Sequence, residues 1–169
     1  KGIQLHFFIG NHDTWTFGWL AQQTGAQVHR KPTTITLNDK RIFLAHGDGL
    51  VPSNYINQLP KKVQKKIRSF IFLRKIFHIP VLQFLFRLVP PTWGNNLGYN
   101  WAKNSRLKEL AKPCPYKGED KEELVLFAKE QEQQGNHHDY YIFGHRHIEL
   151  DLMLSRDSRI IILGDCWQQ

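Results

Sequence analysis

The sequence predicts an α/β fold, a sheet whose strands end in polar loops, with a helical segment inserted in its middle. Three observations predict it. Runs of β-forming residues at 5–9, 41–45 and 140–143 each lead at once into a short polar loop. Between about residues 51 and 112 that pattern gives way to basic, apolar stretches of helical length. Strand patterns return in the last third. A length of 169 residues suits one domain with a real core, and 41% apolar with 12% aromatic residues argues for a globular protein over a disordered one.

In order, Leu5-His6-Phe7-Phe8-Ile9 is the first expected strand. Residues 17–24 suit a short helix stopped by Gly25. Thr33-Thr34-Ile35-Thr36-Leu37 alternates with period two, Asn38-Asp39-Lys40 turns, and residues 41–45 return, so this hairpin delivers His46 to a strand end. Two helices are expected between Pro60 and Leu88, divided near Pro80 because proline cannot continue a helix interior. They are too short and too basic for a membrane span. Pro90-Pro91 closes that pair, a third helix is expected over about 98–111, and another over 121–134 with Gly135 as its stop. Strands are expected at 140–143, 149–154 and 159–163, and no internal repeat is visible.

The net charge of +8 is concentrated: between Val51 and Lys112 the sole acid is Glu109, against twelve lysines and arginines. Such one-sidedness implies an anionic partner, whether phosphate-bearing substrate, anionic lipid surface or nucleic acid. Cys114 and Cys166 have no paired spacing, which argues for reduced thiols over a disulfide framework or a cysteine zinc site. The sequence starts at Lys1 without a Met, a strand begins almost at once, and it closes just past Gly164-Asp165, so it is expected to be part of a larger folded unit.

The chemistry lies in three loops: Gly10-Asn11-His12-Asp13, His46-Gly47-Asp48 and Gly144-His145-Arg146-His147. His145 and His147 are two apart, which in extended or loop backbone turns both imidazoles to one side. The Asn11 carbonyl oxygen can ligate a hard or borderline cation. His12 can donate a proton or stabilise phosphoryl oxygens, and Asp13 can hold its tautomer. Taken singly, each loop reads as well as a polar turn or a hydrogen-bonded surface histidine. Their co-occurrence at three strand C-termini, the edge where open α/β sheets bind ligands, favours a metal site for phosphoester hydrolysis.

These motifs, in this order, resemble the calcineurin-like metallophosphoesterase superfamily, whose third motif is Gly-His-x-His. With the basic insertion after His-Gly-Asp and the later Asn100-Trp101-Ala102-Lys103-Asn104-Ser105-Arg106, the chain looks most like the UDP-2,3-diacylglucosamine hydrolases, in the version with His rather than Arg after the motif Asn. The resemblance implies the C-terminal portion of a metallophosphoesterase sandwich, mixed β-sheets with flanking helices, spanning 1–169 with a helical cap at about 51–112. It implies cleavage of the UDP-2,3-diacylglucosamine pyrophosphate to lipid X and UMP in lipid A synthesis, with a divalent metal pair, Mn2+ before Fe or Zn2+. Asn11, His46 and His145 would ligate one metal and His147 the other. His12 and Asp13 would be catalytic, while Asn54, Lys103, Asn104 and Arg106 would contact substrate. The implied place is cytoplasmic, on the inner face of a bacterial inner membrane.

The superfamily opens with Asp-x-His and then Gly-Asp, which supply the remaining ligands and a bridging carboxylate. Neither occurs before Asn11, so this polypeptide alone is expected to be inactive although its parent is active. Phe70, Leu73, Phe77, Leu82, Phe84, Leu85 and Leu88 are most simply the core of a helix pair. Rimmed by Lys and Arg, the same helices also suit docking on anionic membrane and burial of acyl chains. The rivals are a metallophosphoesterase for nucleotides, nucleic acid or phosphoprotein, and a non-catalytic basic binding module. Nucleic acid is not the expected partner, because the aromatics sit in apolar runs rather than interleaved with basic residues.

Overall fold

The computed structural model describes residues 2–14, 18–90, 92–94, 96, 98–100, 103–104 and 115–164. Among these residues, seven strands form two sheets. In the smaller, β1 (His6–Phe8) runs parallel to β2 (Gln27–His29), with Phe7 opposite Val28. Helix α1 (Trp19–Thr24) connects them and ends on Gly25 at φ 67°, the left-handed stop expected of that glycine.

The larger sheet has the order β3-β4-β5-β7-β6, built from β3 (Thr33–Leu37), β4 (Lys40–Ala45), β5 (Tyr140–Phe143), β6 (Leu150–Met153) and β7 (Arg159–Ile162). β3 and β4 form the expected hairpin, Leu37 facing Lys40, across Asn38 and Asp39 at φ 49° and 60°. Asn and Asp tolerate that left-handed pair, whose twist matches the flanking strands. β4–β5 and β5–β7 are parallel, while β6 returns antiparallel to β7. The mixed sheet with flanking helices is the architecture of the C-terminal part of a metallophosphoesterase fold.

The alternation of β5 and β7 decides the core. Tyr141, Phe143, Ile160 and Ile162 share one face, in register as Tyr141–Ile160 and Phe143–Ile162, and are fully buried. Helix α5 (Glu123–Gln133) lays Leu124, Val125 and Ala128 onto that face. Gly135 at φ 80° follows the helix, as the sequence predicts. At the opposite end of β5 from the loops, Tyr141 donates to Glu132 Oε1 at 2.7 Å, Ser158 Oγ donates to the His138 carbonyl at 2.8 Å, and His138 Nε2 meets Thr34 Oγ at 3.0 Å. These bonds satisfy the buried polar groups where α5, β5, β7 and β3 meet.

The inserted segment is helical. It opens with α2 (Ser53–Gln58), which the sequence did not announce, and continues as α3 (Lys61–Phe77) and α4 (Pro80–Arg87). Pro80 sits in the first turn of α4, where its missing N–H costs nothing, and the two axes are bent by 69°. Residues 92–94, 96, 98–100 and 103–104 are also helical, so helical backbone starts before Gly98, earlier than expected. Cys114, Asp165 and Cys166 lie outside the described residues. Among the described residues no single helix is long and apolar enough to cross a membrane.

Candidate metal centre

Two strand ends meet because β4 and β5 are parallel neighbours. Ala45 pairs with Phe143, so the next residues, His46 and Gly144, leave the sheet side by side, and Gly144 N–H donates to the His46 carbonyl at 3.0 Å. The imidazoles of His46 and His145 stand edge to face with centroids 5.2 Å apart. The third loop arrives from β1. Asn11 Oδ1 lies 3.2 Å from His46 Nε2, and Ile9 N–H donates to the His29 carbonyl at 2.9 Å to hold that strand end in place. Gly10 is what permits this approach, because a Cβ there would fall 2.7 Å from His46 Cε1.

Burial pushes the His145 imidazole well below its usual range, to about 4, and the neighbouring His46 adds to the effect. His46 is shifted in the same direction by burial, opposed by Asp48 and Asp13. Both rings are therefore neutral at neutral pH, and a neutral imidazole is the ligand form. His12 and His147 are exposed but within electrostatic reach of His46. His145 and His147 lie in a loop, one of the two settings the spacing suggested, and both occupy left-handed backbone there, at φ 66° and 50°.

Each histidine loop is tied down by a buried carboxylate. Asp48, 2% exposed, pairs with Arg74 of α3. Glu122, fully buried just ahead of α5, receives Arg146 Nε at 2.6 Å and Nη2 at 3.0 Å, a two-point clamp on the residue between His145 and His147. Sequence reasoning gave neither Arg74 nor Glu122 a role in the site: Arg74 counted only as one of the basic residues of the insertion, and no local signal marks Glu122.

Among the described residues no three His, Cys, Asp or Glu side chains converge on a metal-sized position. The donor set present is two neutral imidazoles and the Asn11 carboxamide oxygen, which fits one divalent ion of the borderline kind with positions left for further ligands. Asn54 on α2 and Lys103 and Asn104 on a helical stretch are exposed, and among the described residues no hydrogen bond or ring contact joins them to the three loops. Lys103 instead lies over the Tyr99 ring at 5.9 Å. Arg106 lies outside the described residues.

No protein-family model matches the chain. It is similar to the UDP-2,3-diacylglucosamine hydrolase of Porphyromonas gingivalis, with 34% identity across 98% of this chain and 62% of that protein. It is also similar to the protein of that name from Psychromonas ingrahamii, at 26% identity over 87% of this chain and 53% of the relative, and to that of Haemophilus influenzae, at 35% over 43% and 31%. The chain thus spans about three fifths of the Porphyromonas relative. Along nearly all of its own length the chain is thus similar to proteins named UDP-2,3-diacylglucosamine hydrolase, a family of the metallophosphoesterase superfamily.

Proposed function

We propose that the intact protein hydrolyses the pyrophosphate bond of UDP-2,3-diacylglucosamine, releasing lipid X and UMP for lipid A synthesis, at a divalent-metal centre where β1, β4 and β5 end. The observation that carries this reading is the convergence of Asn11, His46 and His145, with both imidazoles held neutral by burial. Asn11, His46 and His145 would hold one ion and His147 the second. Bound there, the ions supply Lewis acidity and lower the pKa of water, and Mn2+ is preferred on the family resemblance over Fe or Zn2+.

The chain's own residues bind and orient. Asn11 and His46 share a hydrogen bond that sets the carboxamide oxygen and the imidazole against each other. His12, exposed on the turn that Asp13 N–H closes by donating to the Gly10 carbonyl at 3.2 Å, faces incoming phosphate and gives a proton to the departing oxygen. Asp13 orients it. The oxygen of water forms the new bond to phosphorus as one bridging P–O bond breaks. Asn54, Lys103, Asn104 and Arg106 contact the sugar and phosphate.

A second element of the proposal is that the cap, residues 51–112, docks on the anionic inner face of a bacterial inner membrane, from the cytoplasm. Val81 and Phe84 of α4 are 66% and 61% exposed, Leu88 just past its end is 67% exposed and Trp93 is 73% exposed, so this helix turns apolar residues to solvent. Lysines and arginines of α3 flank it with no acid in either helix. An apolar face with a basic rim is the composition of an interfacial helix.

The test is a substrate panel on the intact protein with Mn2+: UDP-2,3-diacylglucosamine, bis-p-nitrophenyl phosphate and single-stranded DNA. Selective turnover of the first, abolished by chelator and by His46→Ala, is expected. Turnover of only the simple diester would support the rival phosphoesterase, and metal-independent, salt-sensitive DNA binding the non-catalytic module.

A further inference from the structure

We infer that Arg74 is a positioning residue for the metal centre, its ion pair with Asp48 fixing the His46 loop against the helical cap. The inference rests on the reading of His46 as a metal ligand, and it adds a residue that neither the motifs nor the relatives' names assign.

Asp48 lies two residues beyond His46 and is 2% exposed. Its Oδ2 accepts from Arg74 Nε, while Oδ1 makes no hydrogen bond among the described residues, so the buried charge is balanced by Arg74. The turn between them is tight: Gly47 and Gly49 take φ 109° and 75°, and Leu50 N–H donates to the Gly47 carbonyl at 3.2 Å. The same two glycines are the points of close approach. A Cβ on Gly49 would lie 3.4 Å from Arg74 Cδ, and one on Gly47 would lie 3.2 Å from Leu124 Cδ1. The loop is therefore held between the cap helix on one side and α5 on the other.

Arg74 reaches this place because it belongs to the inward stripe of α3, with Gln64, Ile67 and Ile71 at helical spacing and less exposed than their neighbours. His78 continues the stripe and donates from Nδ1 to the Arg74 carbonyl at 2.8 Å. Arg74 also borders two small cavities, one shared with Asn11 and Thr14 and the other with His46 and Asp48. One side chain thus borders two of the three loops that carry the proposed ligands, and movement of α3 is transmitted to them through it.

The experiment measures Mn2+ affinity of the intact protein by electron paramagnetic resonance, with histidine-ring NMR of the metal-free form beside it. Arg74→Ala is expected to weaken Mn2+ binding by about 10- to 100-fold, the range for partners that orient metal ligands, and to move the His46 and His145 ring signals while leaving His138 in place. Asp48→Asn should cost the same, the double variant no more than either, and Arg74→Lys should recover part. Arg68→Ala, two turns earlier on α3, should leave affinity unchanged. Unchanged Mn2+ affinity in Arg74→Ala, or losses in the two single variants that simply add, would overturn the inference. If the protein binds Mn2+ with this coupling but does not cleave the nucleotide sugar, the substrate proposal fails and the role of Arg74 stands.

Discussion

Gly10→Ala isolates the geometry of the proposed site from its chemistry, since it removes no donor. A Cβ at residue 10 would sit 2.7 Å from His46 Cε1, 2.9 Å from Nε2 and 3.0 Å from Nδ1. Ordinary contact begins near 3.4 Å, so the ring must retreat by about 0.7 Å or the turn must lift away. His46 is pinned by the Gly144 N–H to its carbonyl and by the β4–β5 register, so the ring and Asn11 have to separate. Overpacking of this kind costs about 1–3 kcal/mol, roughly 2–12 °C of melting temperature for a chain of this size. A displacement approaching 1 Å at a reacting centre costs roughly 100-fold in rate. The expected result is a folded protein with a modest fall in Tm, Mn2+ affinity down at least tenfold and turnover down about 100-fold. Gly98→Ala, where nothing lies within 4 Å, is the matched control and should be silent. Wild-type Mn2+ affinity in Gly10→Ala would refute the claim that Asn11 and His46 act on one ion.

Three further outcomes follow from other groups. Glu122→Ala removes the buried carboxylate that receives Arg146, and breaking such a buried pair costs about 3–5 kcal/mol; urea unfolding showing under 1 kcal/mol would contradict the anchoring role. Burial pushes the Glu132 carboxyl up, but hydrogen bonds from His137, Tyr141 and the His138 amide outweigh it and leave the group below its ordinary 4.5. Its contribution is therefore present above about pH 4.5 and lost as pH falls through the folded value, so Glu132→Gln should flatten the acid limb of stability; an unchanged limb in urea titrations at about pH 6 and pH 3 would count against it. Replacing Phe84 and Leu88 by Asp should weaken flotation with phosphatidylglycerol vesicles at least tenfold, because burying each such side chain is worth about 1.5–3 kcal/mol; unchanged flotation would remove α4 from the docking face.

Much of this fold was legible because its signals are local. The hairpin announced itself in Thr33–Leu37 and Asn38-Asp39, and the break between α3 and α4 in Pro80. α5 was marked by its apolar spacing and by Gly135. β2 was not legible, since Gln27, Val28 and His29 make too short a run to stand out, and its strand state comes from pairing with β1. α2 was hidden for the related reason that Ser53–Gln58 buries only Ile56. The site divides in the same way. Asn11, His46, His145 and His147 could be named because motif residues follow strand ends. The adjacency of β4 and β5, set by pairing across nearly a hundred residues, could not be read locally. Nor could Arg74, whose role depends on which face of α3 turns inward.

The three ligand loops are not equally secured, and the difference has a physical source. The His46 and His145 loops leave neighbouring parallel strands, are joined by a ladder hydrogen bond, and each end in a buried carboxylate–guanidinium pair. A buried charge tolerates little displacement from its partner, so both pairs penalise any drift of the imidazoles. Among the described residues the Asn11 loop shows no buried carboxylate–guanidinium pair: β1 is three residues long in a two-stranded sheet, and Asn11 reaches His46 through a hydrogen bond. Among the described residues, charge pairs thus lie under the two histidine loops and a neutral hydrogen bond under the asparagine. Under the proposed function, these two pairs concentrate rigidity where the neutral imidazoles would hold a cation.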